Sequence, residues 1–494
     1  MSLGNQKNVI TRFAPSPTGF LHVGGVRTAL YAWLFARKQG GTFILRIDDT
    51  DKEREVPGSV EHIVESLSWL GITWDNAEIY KQSEHLDLYR RYGEELLAAG
   101  KAYVDPYTEE ELDSLRKRAE EEKRAFLFRE HRPPSRGRSP LRRGEGPSAA
   151  AEATGWYGKR PLRFRVPELK RYAWNDVVRG ALSAGEEALD DFILIKSDGY
   201  PTYNFSHIVD DIEMGVTHVI RGEEFISSTP RFLSLYEALG KKPPTYAILP
   251  PILGPDGKKK LSKRDGAKDI LDYRKEGYLP DAVVNFLALL GWHPEDEREV
   301  MTREELTAAF SLERVQKGGA TFDETKLRWF NHEHLKRLSD AEFLSRCTAF
   351  LKERGSPVPV YLGKIAGLLH ERFETLSAAA SALELGEFSF MEEIPPYDEH
   401  LLTKGAKAEI PVIADHLKQT QALLAGIEGD AFSASRIKDV LFPYATEKGR
   451  SAVLWPLRVA LSGKERSPDP FTLAELLGKE ETIKRIEVGI AKIG

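Results

Sequence analysis

An α/β unit built on a parallel sheet, broken by an insertion and followed by an all-helical C-terminal region, is the fold class that the sequence predicts. Three observations predict it. Strand-like and amphipathic helical runs alternate over the first hundred residues, a basic proline-containing segment interrupts them after Gly100, and helical periodicity dominates from about Met301. At 494 residues the chain exceeds one ordinary core, so roughly two to four domains are expected.

Val9 to Ala14 is an apolar run of strand length, and Val26, Leu30 and Trp33 then recur on one face of a helix. Thr42 to Ile47 reads as a second strand, and Ile63, Leu67 and Leu70 mark a second amphipathic helix. That order makes a parallel sheet the natural outcome. After Gly100 a charged helix runs from Thr108 to about Glu122. It leads into the stretch Arg116 to Pro147, which holds eleven Lys and Arg against five Glu and is spaced by four prolines. This stretch reads either as a solvated loop or as a surface for a nucleic-acid backbone. Strand-like runs return at Asp191 to Lys196, Val216 to Arg221 and Thr245 to Leu253, so the sheet is expected to resume after the insertion. Beyond Met301, short connections with Gly or Pro join roughly 170 residues of helical pattern.

Composition narrows the function classes. With 41% hydrophobic and 30% charged residues the chain can fill several cores, which argues against wholesale disorder. A net charge of -6 does not announce a nucleic-acid partner, so any phosphate-binding surface must be local. Cys347 is the only cysteine, which excludes an internal disulfide and a zinc site with two thiolates. Met1 to Asn8 lacks the apolar core of a signal peptide. Ala282 to Trp292 contains Asn285 and is too short to span a bilayer, so a cytoplasmic protein without membrane attachment is expected.

Two constellations carry chemistry. Arg12-Phe13-Ala14-Pro15-Ser16-Pro17-Thr18-Gly19-Phe20-Leu21-His22-Val23-Gly24-Gly25 links the first strand to the first helix. A tight turn feeding a helix N-terminus presents unpaired N–H groups and the positive end of a dipole, which suits phosphate. Gly24 and Gly25 are expected to keep side chains out of a nucleotide's way, and His22 to donate to phosphate oxygens. A lone turn histidine is more often structural; its address at the carboxyl end of a strand is what recommends it. No P-loop and no G-x-G-x-x-G occurs. The second constellation, Gly254 to Arg264, sets five positive charges between Lys258 and Arg264. By itself it reads as a solvated basic loop or as lysines that clamp a triphosphate.

Together these stretches resemble the paired signatures of class I aminoacyl-tRNA synthetases. His22-Val23-Gly24-Gly25 is similar to the HIGH element, and Lys260-Leu261-Ser262-Lys263-Arg264 to the KMSKS loop. Arg12 to Gly25, Arg46 to Asp51, Tyr203-Asn204, Val219 to Glu224 and Leu261 to Gly266 resemble the glutamyl subgroup in particular. Leu279 to Trp292, Ala320 to Asn331 and Leu454 to Gly463 extend the likeness over most of the chain.

The resemblance implies a Rossmann-like catalytic domain in two halves, residues 1–100 and 191–240. It further implies an inserted acceptor-end domain at 101–190, a stem-contact domain with the KLSKR loop at 241–325, and an all-helical anticodon-binding region at 326–494. The implied activity is ATP-dependent attachment of L-glutamate to the 3′ end of tRNA-Glu through glutamyl-adenylate, in protein biosynthesis. Activation in this group typically waits for tRNA, and charging of tRNA-Gln is left open. By the resemblance, ATP meets His22, Gly24, Gly25, Lys260, Ser262 and Lys263, with His22, Lys260 and Lys263 catalytic. Glutamate meets Arg12, Ala14, Ser16, Asp48, Tyr203, His207 and Arg221. An arginine fork binds a carboxylate bidentately, so Arg12 and Arg221 are the expected γ-carboxylate pair. Their alternative is an ion pair at a strand end, and that of Tyr203 is an ordinary core position. Asp48 departs from the family, which usually has Glu there, so its expected contact with the substrate ammonium is one methylene shorter. Mg²⁺ accompanies ATP. No zinc is expected, because residues 101–150 hold no Cys and only His131. Oligomerisation is unmarked, and a monomer is the expectation. The rivals are a glutaminyl-tRNA synthetase, whose C-terminal part is β-barrel, a small-molecule nucleotidyltransferase with an unrelated helical tail, and a non-catalytic tRNA-binding protein.

Overall fold

The computed structural model describes residues 8–133, 156, 160–185, 187, 189–261 and 268–494, and the chain divides into two compact units, Met1–Phe330 and Asn331–Gly494. The first unit opens with β1 (Ile10–Phe13), α1 (Val23–Lys38), β2 (Thr42–Ile47), α2 (Ser59–Trp69) and β3 (Tyr80–Lys81). β1 pairs with β2 and β2 with β3, both parallel, setting Arg12 opposite Ile44 and Arg46 opposite Tyr80. The apolar spacing read from the sequence is the buried one, with Val26, Leu30, Ile63, Leu67 and Leu70 all at 1% exposure or less. Burial of each leucine contributes about 2 kcal/mol. Helix α1 is buried nearly all round, because α8 (Pro280–Ala288) and α9 (Arg303–Ala309) pack on it as well as the sheet. Buried Tyr31 donates from its hydroxyl toward the Ala288 and Leu290 carbonyls, 3.1 Å from each, so the polar tip is satisfied inside this core.

The insertion follows α3 (Leu86–Ala98). Thr108 and Glu111 form a capping box that starts α4 (Glu109–Glu121). β4 (Ala102–Val104), β5 (Leu162–Phe164) and β8 (Ile193–Ile195) make an antiparallel sheet, order β4-β5-β8. The run at Asp191 to Lys196 is therefore a strand but does not resume the parallel sheet. That role falls to β6 (Tyr172–Asp176), which precedes it, hairpins with β7 (Gly180–Ala184) and pairs in parallel with β10 (Thr245–Leu249). The reason lies in a polar residue, invisible to apolar periodicity. The buried Asp176 carboxylate accepts the N–H groups of Val178, Arg179 and Ile248 and so pins β6 to β10.

After α5 (Tyr203–Glu213), β9 (His218–Gly222) lies parallel to β10 across α6 (Thr229–Ala238). The Ile10 N–H donates to Thr217 Oγ1 and the Thr217 N–H to the Ile10 carbonyl, each at 2.9 Å, so β9 also runs beside β1. The expected strand Thr245 to Leu253 is split at Pro250 and Pro251, which offer no N–H, into β10 and β11 (Ile252–Leu253). α7 (Ile270–Lys275) precedes α8. The region beyond Met301 is not purely helical, since β12 (Ala320–Thr321) pairs in parallel with β11.

The second unit is helical from Asp340–Glu353 to Lys479–Ile493. Its buried Arg485 ties segments together, Nη1 donating to the Leu461 and Phe390 carbonyls at 2.7 and 2.8 Å and Nε to Glu481 at 2.7 Å. Gly405 is required there because an added Cβ would stand 2.3 Å from the Trp455 ring. Among the described residues no helix is long and apolar enough to cross a membrane.

Candidate active site

The carboxyl ends of β1, β2 and β9 and one face of α5 converge on a buried cluster of charges. Arg12 leaves β1 and donates from Nε to Asp211 at 3.1 Å. Arg46, fully buried on β2, donates from Nη1 to the same Asp211 oxygen at 2.8 Å and from Nε to Asp48 at 2.7 Å. Asp210, 3.6 Å from Arg46, takes hydrogen bonds from Tyr80, Tyr89 and Gln82. Burial pushes the Asp211 carboxyl up, but the charges of Arg12 and Arg46 outweigh it and hold it down at about 2. Asp48 goes the other way: burial lifts its carboxyl, Arg46 only partly offsets this, and it is pushed up to about 6.

Arg221 on β9 stands apart in this cluster. It is 4% exposed, and its three guanidinium nitrogens are buried with no hydrogen-bond partner among the described residues. Phe225, Phe232 and Tyr246 place their rings 5.1, 4.9 and 4.9 Å from its guanidinium carbon, which offsets part of the desolvation but offers no acceptor. A buried cation so arranged is costly unless an anion completes it. Tyr203 adjoins: burial raises its hydroxyl, and the charges of Arg221, Asp48, Arg12 and Asp211 all reach it. His207 stacks on Tyr203 at 4.5 Å and donates from Nδ1 to the Tyr203 carbonyl at 2.5 Å; burial and then Arg221 press its pKa down to about 3, so it is neutral. Of the expected glutamate-binding residues, Arg12, Asp48, Tyr203, His207 and Arg221 thus come together. Ala14 and exposed Ser16 lie on the exit from β1, where the Asp48 N–H donates to the Pro15 carbonyl at 3.0 Å.

The turn bearing His22 meets the segment that follows the second signature, about 240 residues on in sequence. His22 and Asp269 form an antiparallel bridge, and the Ile270 N–H donates to the Leu21 carbonyl at 3.1 Å. His22 is the N-cap of α1, its Nδ1 accepting the Gly24 N–H at 3.1 Å. With Nδ1 accepting, the ring's proton sits on Nε2, the atom that can donate to a phosphate oxygen. The glycines have a second duty beside the one expected of them. A Cβ at Gly24 would lie 2.9 Å from the His22 ring, and one at Gly25 2.6 Å from Leu21, so they clear room for the turn itself. Lys260 is exposed and 3.4 Å from Glu224, while Leu261 is anchored in the core through its N–H to the Ile252 carbonyl. Ser262, Lys263 and Arg264 lie outside the described residues, as do residues 134–147 of the arginine-rich stretch that ends at Pro147.

Residues 8–329 match the family described as tRNA synthetases class I (E and Q), catalytic domain, and residues 332–490 match the anticodon binding domain. The chain is 40% identical over 492 residues to glutamate–tRNA ligase 1 of Caldanaerobacter subterraneus, covering 98% of this chain and 97% of that one. It is 40% identical over 484 residues to the glutamate–tRNA ligase of Nitrosomonas europaea, covering 97% and 98%. A crystal structure of a glutamate–tRNA ligase from Elizabethkingia meningosepticum, in complex with its amino acid, superposes with a TM-score of 0.82 at 37% identity, over 99% of this chain and all of that one. The chain belongs to the glutamate–tRNA ligase family of class I synthetases.

Within this class I glutamate–tRNA ligase scaffold, three residues of the charge cluster escape the sequence reading as site residues. Arg46 enters it only as part of a resembling phrase, and Asp210 and Asp211 not at all. A signal is present: Tyr203, His207 and Asp211 stand four residues apart on one face of α5, so the spacing that aligns the first two also aligns the third.

Proposed function

We propose that the chain is a glutamate–tRNA ligase that activates L-glutamate with ATP and transfers it to the 3′ end of tRNA-Glu. The observation that carries this reading is the buried guanidinium of Arg221, which has no hydrogen-bond partner among the described residues and whose charge, like that of Arg12, reaches Tyr203 and His207. A γ-carboxylate supplies the missing anion, whereas glutamine's neutral amide would leave the charge uncompensated. Asp48 receives the substrate ammonium, and His22, Gly24, Gly25, Lys260, Ser262 and Lys263 hold ATP. The substrate α-carboxylate attacks the α-phosphorus, pyrophosphate leaves, and the terminal ribose hydroxyl of tRNA then takes the acyl group. No protein nucleophile is needed. Positioning by the arginines, the His22 Nε2 proton, the N-terminus of α1 and the lysines stabilises the charge that builds on phosphate oxygens. Mg²⁺ arrives with the triphosphate, as a hard cation suited to its oxygens. The insertion at 101–190 receives the acceptor end, the helical region beyond residue 326 reads the anticodon, and the enzyme works as a monomer in the cytoplasm.

Aminoacylation with purified tRNA-Glu and tRNA-Gln, offered glutamate and glutamine separately, tests the reading. Charging of tRNA-Glu with glutamate is expected; no charging, or a preference for glutamine, would overturn it. Charging of tRNA-Gln with glutamate would extend the substrate range. The raised Asp48 carboxyl adds a pH dependence. Protonation below about 6 removes the acceptor for the ammonium, so KM for glutamate is expected to climb as pH falls through that value. Asp48→Asn should flatten this profile, measured as tRNA-dependent ATP–pyrophosphate exchange; an unchanged inflection in the variant assigns the titration elsewhere.

A further inference from the structure

Helix α2 contributes nothing to either signature, yet its first turns fasten the turn that carries His22. Ser59 Oγ donates to the Gly19 carbonyl at 3.1 Å, and His62 Nδ1 accepts the Leu21 N–H at 3.2 Å. Phe20 lies flat on the His62 ring, with centroids 4.6 Å apart and planes 16° from parallel. With Nδ1 accepting, the proton is on Nε2, which donates to Asp269 at 2.7 and 2.8 Å from its two oxygens. Both side chains are largely buried, 10% and 22% exposed. Asp269 also caps α7, accepting the Leu271 N–H at 2.9 Å, and its backbone is the one that bridges His22.

We propose that His62 is a positioning residue for ATP. Through its two ring nitrogens it locks the turn bearing His22 against Asp269, so that the first nucleotide signature keeps its register against the segment that follows the second. The proposal rests on the reading of those signatures as the ATP site. Both nitrogens of His62 are engaged within the protein, so it acts through Leu21 and Asp269 rather than by touching substrate. An imidazole suits such a clamp, because it is rigid, its nitrogens face opposite ways, and the stacked Phe20 restrains the ring torsion that would otherwise let the clamp swing. When the clamp is lost, ATP must order the two segments itself. The glutamate pocket, built from β1, β2, α5 and β9, keeps its own hydrogen bonds.

The test is ATP–pyrophosphate exchange by the full chain with glutamate and tRNA-Glu, for wild type, His62→Ala, Asp269→Ser and the double variant. Serine keeps a capping oxygen for α7, which separates the clamp from the cap. KM for ATP is expected to rise about tenfold in each single variant and no further in the double, with KM for glutamate within about twofold of wild type. His62→Gln, which retains a donor toward Asp269, should recover part of the loss. An unaltered KM for ATP, a parallel rise for glutamate, or additive effects in the double variant would each overturn the clamp. If His62→Ala does not fold, Asp269→Ser decides the matter by the same criteria. Wild-type protein that performs no exchange defeats the ligase reading instead, so the two failures are distinguishable.

Discussion

Arg221→Met is expected to abolish glutamate activation while leaving the protein as stable as wild type, or more so. The activity loss follows from geometry. A carboxylate that docks on a buried guanidinium gains charge-assisted hydrogen bonds in a water-poor site, and truncating one partner of such a pair costs about 2–5 kcal/mol. A value near the upper end corresponds to about a thousandfold in kcat/KM for glutamate. The stability argument runs the other way, because the guanidinium nitrogens have no protein acceptor among the described residues. Without substrate the fold carries the desolvation of that charge against three aromatic rings. A methionine of similar length fills the space with no charge to bury, and replacing uncompensated buried charge by apolar volume is neutral or stabilising by about 1–4 kcal/mol. Exchange kinetics against glutamate concentration and a urea midpoint check the two halves. A variant that loses several kcal/mol of stability would mean that Arg221 has a structural partner. One that keeps its KM for glutamate would remove it from the amino-acid site.

Asp211→Asn is expected to do the reverse, damaging the fold first. Asp211 is 3% exposed and is the shared acceptor of Arg12 and Arg46, so neutralising it leaves two buried guanidiniums short of charge. Breaking a buried ion pair from one side costs about 3–5 kcal/mol, enough to lower the urea midpoint sharply. The sign with pH is fixed by the depressed carboxyl. Its pKa lies below that of the unfolded chain, so its share of stability is complete above the ordinary carboxylate range and is lost as pH falls toward about 2. The gap between wild type and variant should therefore be widest above about pH 4 and close on acidification. A gap that stays constant down to pH 2 would show that the carboxylate's charge is not what holds the two arginines.

The contrast between these two residues explains how much of the site is legible in the sequence. Arg12, Tyr203 and Arg221 belong to phrases whose order and residue types repeat a known pattern, and the structure gathers them with His207, which lies outside those phrases. What cannot be read is the division of labour among charges of the same kind. Arg12, Arg46 and Arg221 are all buried arginines, yet the first two are matched to aspartates and the third has no hydrogen-bond partner among the described residues. Pairing of that sort depends on which carboxylates the fold carries within about 3 Å, and Asp211 lies 165 residues from Arg46 in the chain. A second duty of Gly24 and Gly25 is hidden for a similar reason, since the His22 and Leu21 side chains that crowd them are placed there by the fold of the turn.

By itself the sequence determined the elements and their faces: periods of two and 3.6 residues dictate which side chains are buried together, and Gly, Pro and capping residues dictate where each run stops. It also determined the family, because signature phrases are local. Only the tertiary structure decided which strand joins which sheet, as with β6 in place of β8, and which arginine has no carboxylate partner among the described residues. Sheet order and charge pairing are contacts between distant segments. Their energies depend on distance and burial, quantities that no local spacing encodes.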